Sequence, residues 1–211
     1  MTHPHPRNGA SDSELLRSEI AALAARMIAE DGADYGSAKR RAARQILGDA
    51  KPRSDILPDN AQVEDEVRIY NELFFAETQP ARLLHLRRTA LQLMLDLQAF
   101  SPYLTGAVLN GTANAHSDIH LQLFADSEKD VEIFLFNKNM PFEVSETPHF
   151  KGRAYEPVET VSFMWRNEGV HLALYQTDDL RGALRGGGSG GRVERADLKT
   201  VQQLLEESDA E

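Results

Sequence analysis

The stretch from Ser101 to Phe124 constrains the fold of this chain more than any other, because the spacing of apolar residues changes there. Upstream, apolar side chains recur every third or fourth residue; downstream, they alternate. Ser101-Pro102 marks the break, and Tyr103 to Leu109 reads as a strand. The segment from there through Ser117, which contains Gly111, then reads as a turn. Asp118 to Phe124 alternates cleanly, with Ile119, Leu121 and Leu123 on one side and Asp118, His120 and Gln122 on the other. A helical half that gives way to such a half-buried strand predicts an α+β protein.

Upstream of the break, residues 1–12 are rich in Pro, His and small polar residues and are expected to form a disordered tail. Residues 13–99 are expected to be helical. Leu16, Ile20, Leu23 and Met27 fall on one face, and Glu30-Asp31-Gly32 stops that run. A second, alanine-rich helix is predicted from Ser37 to Leu47, ending at Gly48. Two prolines mark residues 51–60 as a linker, and Val63, Val67, Tyr70 and Phe74 indicate a third helix. A fourth follows Pro80, with Leu83, Leu86, Ala90, Leu93 and Leu97 inward.

Residues 100–211 are expected to form an α/β domain on which the helical region packs. Val131, Ile133 and Leu135 share a phase, which predicts a return strand over Val131–Phe136 with Glu132 on the same face as Asp118 and His120. Residues 138–158 read as a long loop. Val161–Trp165 and Val170–Gln176 flank Asn167-Glu168-Gly169, a hairpin signal. The Gly186–Gly191 run reads as a flexible connection, and Asp197–Glu207 as a closing amphipathic helix.

Composition narrows the function. Hydrophobic residues make up 41% and charged residues 27% of 211, the balance of a soluble globular chain. A net charge of −10 argues against broad nucleic-acid binding, which needs a positive field. Lys39, Arg40, Arg41 and Arg44 form a local basic group whose simplest reading is a solvated face, partly neutralised by Glu30, Asp31, Asp34 and Asp49. An RNA or nucleotide-phosphate contact is the alternative. The absence of cysteine excludes disulfides and thiolate metal sites. No apolar run approaches the ~20 residues of a membrane span, and the start lacks a signal-peptide core, so a cytoplasmic protein without a membrane partner is expected. The glycine run lacks the Gly-Lys-Ser/Thr ending of a P-loop, and no serine nucleophile elbow is present.

Gly106-Ala107, Gly111 and Ser117-Asp118-Ile119-His120-Leu121 together resemble the signature of the DNA polymerase beta-like nucleotidyltransferase superfamily. In that family an apolar strand runs into Gly-Ser, a second glycine follows, and a Ser-Asp-Ile-Asp-Leu strand carries two metal-binding carboxylates. The resemblance covers residues 101–124 and extends loosely to Gln176. It implies a small mixed sheet of nucleotidyltransferase type. It also implies transfer of a nucleoside monophosphate from a nucleoside triphosphate to an acceptor such as RNA or protein, with Mg2+ or Mn2+ as cofactor. Asp118 would be the principal metal ligand, with Glu132 as a second catalytic carboxylate. Gly106, Ala107, Gly111 and Ser117 would frame the substrate triphosphate, and Asp118, His120, Glu132 and His171 make up the candidate metal set. Two positions compete for the third ligand: Glu132 is a carboxylate, whereas His171 has the more typical strand context after Gly169.

Two letters depart from the signature. Ala107 replaces the usual serine and removes a phosphate hydrogen bond of ~1.5–3 kcal/mol. His120 replaces the second aspartate, exchanging a hard anionic oxygen for a nitrogen that suits transition metals better than magnesium. A two-metal mechanism needs such anionic oxygens. The expectation therefore divides between a working nucleotidyltransferase and a degenerate relative that binds nucleotide, nucleic acid or a protein without turnover. Asp118, His120 and His171 could alternatively form a two-His, one-carboxylate transition-metal set.

Overall fold

The computed structural model describes residues 11–48, 50, 52–152, 154–183 and 195–210. Residues 1–10 of the expected tail, Asp49 and the Gly186–Gly191 run lie outside them. The chain divides into two compact units, Met1–Ala76 and Glu77–Glu211.

Three helices build the first unit, and each begins at a side chain that satisfies its free N–H groups. Helix α1 (Asp12–Asp31) opens with a capping box between Ser11 and Glu14, so Ser11 and Asp12 are ordered. It ends at Gly32, whose φ of 68° suits glycine. Asp34 caps α2 (Tyr35–Leu47), which closes at Gly48, and Asp59 with Gln62 caps α3 (Asn60–Phe74). Ile20, Ala24, Ala38, Ala42, Val63 and Val67 are fully buried in one core. Small alanines let these helices approach closely, so the core is compact rather than bulky. Phe74, which shares the helical spacing of Val63 and Val67, is 64% exposed.

The second unit holds a five-stranded mixed sheet in the order β1-β2-β5-β4-β3. Its strands are β1 (Tyr103–Thr105), β2 (Ile119–Ala125), β3 (Glu143–Thr147), β4 (Val158–Trp165) and β5 (Glu168–Gln176). β2 and β5 run parallel, and the other neighbours are antiparallel. Helix α4 (Gln79–Asp96) starts with Pro80 in its first turn, where the missing N–H costs nothing. The short α5 (Gly106–Asn110), α6 (Glu128–Asn137), α7 (Thr177–Ala183) and α8 (Leu198–Ala210) complete the set. Ile119, Leu121 and Leu123 of β2 and Val170, Leu172 and Leu174 of β5 share one core with Leu86 and Leu93 of α4, Val131 and Leu135 of α6, and Val201 of α8. The opposite face carries His120, His171 and Ser162 toward one end. An aromatic group of Phe124, Phe150 and Tyr175 covers the other end.

Three expected elements differ. The predicted strand Tyr103–Leu109 stops at Thr105, because Gly106 turns the chain at φ 70° into α5, which buries Val108 and Leu109. The predicted return strand Val131–Phe136 is the helix α6. Val131 and Leu135, four residues apart, are the buried pair, while Ile133 is 56% exposed, so the apparent alternation was a helical stripe. Glu128 and Asp130 in its first turn favour that helix start. Finally, the expected loop over residues 138–158 contains β3, an edge strand with almost no buried side chain and hence no apolar pattern to read.

Candidate functional site

The alternation of β2 and β5, combined with their parallel register, sets the site. His120 pairs with His171, so both rings leave the sheet on the same side and stack with centroids 4.8 Å apart. Asp118 immediately precedes β2 and accepts from the ring: its Oδ2 lies 3.1 Å from His171 Nε2. Ser162, the cross-strand partner of His171 on β4, places Oγ 2.8 Å from Nδ1. In the Nε2–H tautomer the ring donates to the Asp118 carboxylate and Nδ1 accepts the serine hydroxyl proton, so both nitrogens of His171 are engaged.

Gly169 makes the approach of Asp118 possible. A Cβ at residue 169 would lie 2.3 Å from Asp118 Oδ1, well inside van der Waals contact. One residue earlier, Glu168 is only 8% exposed and accepts two 2.6 Å hydrogen bonds from the Arg82 guanidinium, with His85 Nε2 at 2.9 Å. The Arg82 hydrogen bonds hold the Glu168 carboxyl below its ordinary range against the upward pull of burial, and the charges of Arg82 and His85 add to the effect. His120 is exposed at its edge. Desolvation of its ring and then the neighbouring His171 push its pKa down, while Asp118 pulls it up; the exposure lets water moderate all three.

A cleft of about 720 Å³ opens beside this group. Ser117, Asp118, Ser162, His171 and Phe142 are among its walls, with Arg82 and Glu168 at the hairpin side. Its charged walls are Asp118, Glu143 and Glu168 against Arg82, which is already paired to Glu168. An anionic ligand would therefore need a bridging cation to approach Asp118.

The candidates from the sequence separate into four groups. Asp118, His120 and His171 come together. Gly106, Ala107 and Gly111 frame α5 beside β1 and are not among the walls of the cleft. A Cβ on Gly106 would meet His120 at an ordinary 3.9 Å, so its positive φ, not space, asks for glycine. Ser117 does line the cleft, but its Oγ accepts the Asn114 N–H at 2.9 Å and closes the 111–117 loop. Arg87 braces α5 from beneath, donating to the carbonyls of Val108 and Leu109 at 3.1 Å each.

Glu132 is the correction. It lies on α6 beside Glu159, whose carboxyl is raised above its usual range by burial and then by the Glu132 carboxyl. On β4, Glu159 shares the helix-covered face with Val161 and Phe163, whereas Ser162 and His171 project from the other. Glu132 thus sits on the wrong side of the sheet to join Asp118. Among the described residues no group of three or more His, Asp or Glu side chains is arranged to hold a metal ion. Ser162, Glu168 and Arg82 were missed by sequence reading. The one available signal was Ser162, a lone hydroxyl in the apolar strand Val161-Ser162-Phe163.

No helix among the described residues is long and apolar enough to cross a membrane. Comparisons with protein-family models, curated proteins and solved structures found no match to this chain.

Proposed function

We propose that the second unit is a nucleotidyltransferase-type module that binds a nucleotide beside Asp118 without transferring its nucleotidyl group. The observation that carries this reading is the paired register of His120 and His171, with rings stacked 4.8 Å apart on the strands where the resemblance leads one to look for carboxylates. Magnesium catalysis needs anionic oxygens on both metals. Here Asp118 is the carboxylate among these three side chains, and it is hydrogen-bonded to His171. The β1–glycine–β2 connection and the signature residues Ser117, Asp118, Ile119 and Leu121 support the family resemblance. The cleft volume, about 720 Å³, falls within the ~300–1,000 Å³ of small-molecule sites and is large enough for a nucleotide.

Because the walls carry more carboxylates than free cations, the nucleotide is expected to enter as its Mg2+ or Mn2+ complex, with the ion between phosphate and Asp118. Imidazoles at His120 and His171 supply nitrogen donors or acceptors but no negative charge to stabilise a departing pyrophosphate complex. The competing reading is a working transferase.

Both are tested together. Native protein, Asp118→Asn, and the double variant His120→Asp with His171→Asp are incubated with labelled nucleoside triphosphates and Mg2+ or Mn2+. The expected result is metal-dependent binding without pyrophosphate release by the native chain, loss of that metal-dependent binding in Asp118→Asn, and appearance of transfer in the double variant. Transfer by the native chain that Asp118→Asn abolishes would establish the working enzyme instead. Failure of any nucleotide to show metal-dependent binding that Asp118→Asn removes would overturn both readings.

A further inference from the structure

The basic residues of α2 border a second cleft, built wholly within the first unit and independent of Asp118. It encloses about 720 Å³ between α2 and Ala50, Pro52, Leu57 and Pro58, and Lys39, Arg40, Arg41 and Arg44 are among its walls. These cations are engaged unequally. Lys39 Nζ donates to Asn60 Oδ1 at 2.8 Å, tying α2 to the start of α3. Arg41 lies 3.7 Å from Asp31, with both side chains more than half exposed. Asp34 caps Ser37 N–H at 2.9 Å and stands across Gly36 from the Arg40 guanidinium, each 3.3 Å from where a Cβ on Gly36 would lie. Arg40 and Arg44 make no ion pair among the described residues, and both are exposed.

Core packing does not explain this grouping, because α2 is held in place chiefly by Ala38 and Ala42, which are buried and are not among the walls of the cleft. Arg40 and Arg44 are one helical turn apart, with a rise of ~6 Å between them. Like charges gathered in a concavity repel one another, and a bound polyanion relieves that repulsion. The chain carries a net charge of −10, so such a gathering is a local departure from its general field. Leu57 and Pro58 add an apolar wall beside the cations. A concave site with both characters suits a ligand that has an anionic end and a flat, weakly polar body.

The geometry points to a phosphate-bearing ligand of nucleotide size in this cleft, its phosphates held by Arg40 and Arg44 and its body against Leu57 and Pro58. Such a phosphate could belong to a free nucleotide or to an RNA strand, and the choice of probes separates them. The full chain, in a chelator that removes divalent cations, is titrated with inorganic tripolyphosphate, ATP and a short oligouridylate. ATP is expected to bind, more weakly as salt is added. Arg40→Gln with Arg44→Gln is expected to lose about tenfold or more in affinity, while Arg40→Lys with Arg44→Lys keeps most of it. Unchanged helical circular dichroism checks the fold of each variant. Tighter binding of oligouridylate than of ATP, with the same loss, would assign the phosphates to a strand. The inference is overturned if no probe binds or if the glutamine variant binds as well as the native chain. It is also overturned if Asp118→Asn removes the binding, since that would place the ligand in the other cleft.

Discussion

At the scale of single residues, the site depends on a missing side chain as much as on those present. Gly169 leaves the volume that Asp118 occupies, and an added methyl would meet Oδ1 at 2.3 Å and Cγ at 2.6 Å. The Asp118 side chain is 46% exposed, so it can swing into water rather than force the backbone apart. Gly169→Ala is therefore expected to cost only ~1 kcal/mol of stability by thermal unfolding. The larger effect should be loss of the Asp118–His171 contact, read as a change in the imidazole signals of His171 by NMR. An unchanged His171 environment would show that the carboxylate does not depend on this glycine.

At the scale of elements, α6 discriminates sharply between two readings of the same letters. Leu135 is fully buried and Ile133 is 56% exposed, although a strand would place them on one face. Leu135→Ala should cost ~2–5 kcal/mol, and Ile133→Ala should fall within ~0.5 kcal/mol of native; chemical denaturation followed through Trp165 measures both. Equal costs would restore the strand. The contrast also explains what could be read in the sequence. The glycines after α1 and α2 and the alternation of β2 were legible because local chemistry alone demands them, whereas the caps at Ser11, Asp34 and Asp59 were passed over and the helix starts set late. Val131 to Phe136 was misleading because six residues satisfy both periods, and only the sheet beneath decides which face is buried. With that misreading Glu132 was carried to the wrong side, while the contacts that bring Asp118, His120 and His171 together lay beyond sequence. Arg82 and Glu168, 86 residues apart, gave no signal at all.

At the scale of the whole molecule, that Arg82–Glu168 pair links α4 to the β4–β5 hairpin and gives the second unit an acid-sensitive joint. Glu168 has its carboxyl held below the ordinary value of 4.5, so its contribution to stability is complete above that value and is lost as pH falls through the lower, folded one. Glu168→Gln is expected to lower stability at neutral pH by ~1–3 kcal/mol. It should also flatten the decline in stability below pH ~4.5, as measured by denaturant titration of Trp165 fluorescence at several pH values. An unchanged acid slope would assign the decline to other carboxylates. The parallel pairing of β2 with β5 has a consequence in time. Asp118 and His171 are 53 residues apart, and α6, β3 and β4 must all be accommodated in the crossover before those strands can zip together. Closing so long a loop delays its reward until late in refolding. During renaturation, ligand capture at Asp118 should accordingly lag behind recovery of helix signal, making the cleft one of the last features to mature.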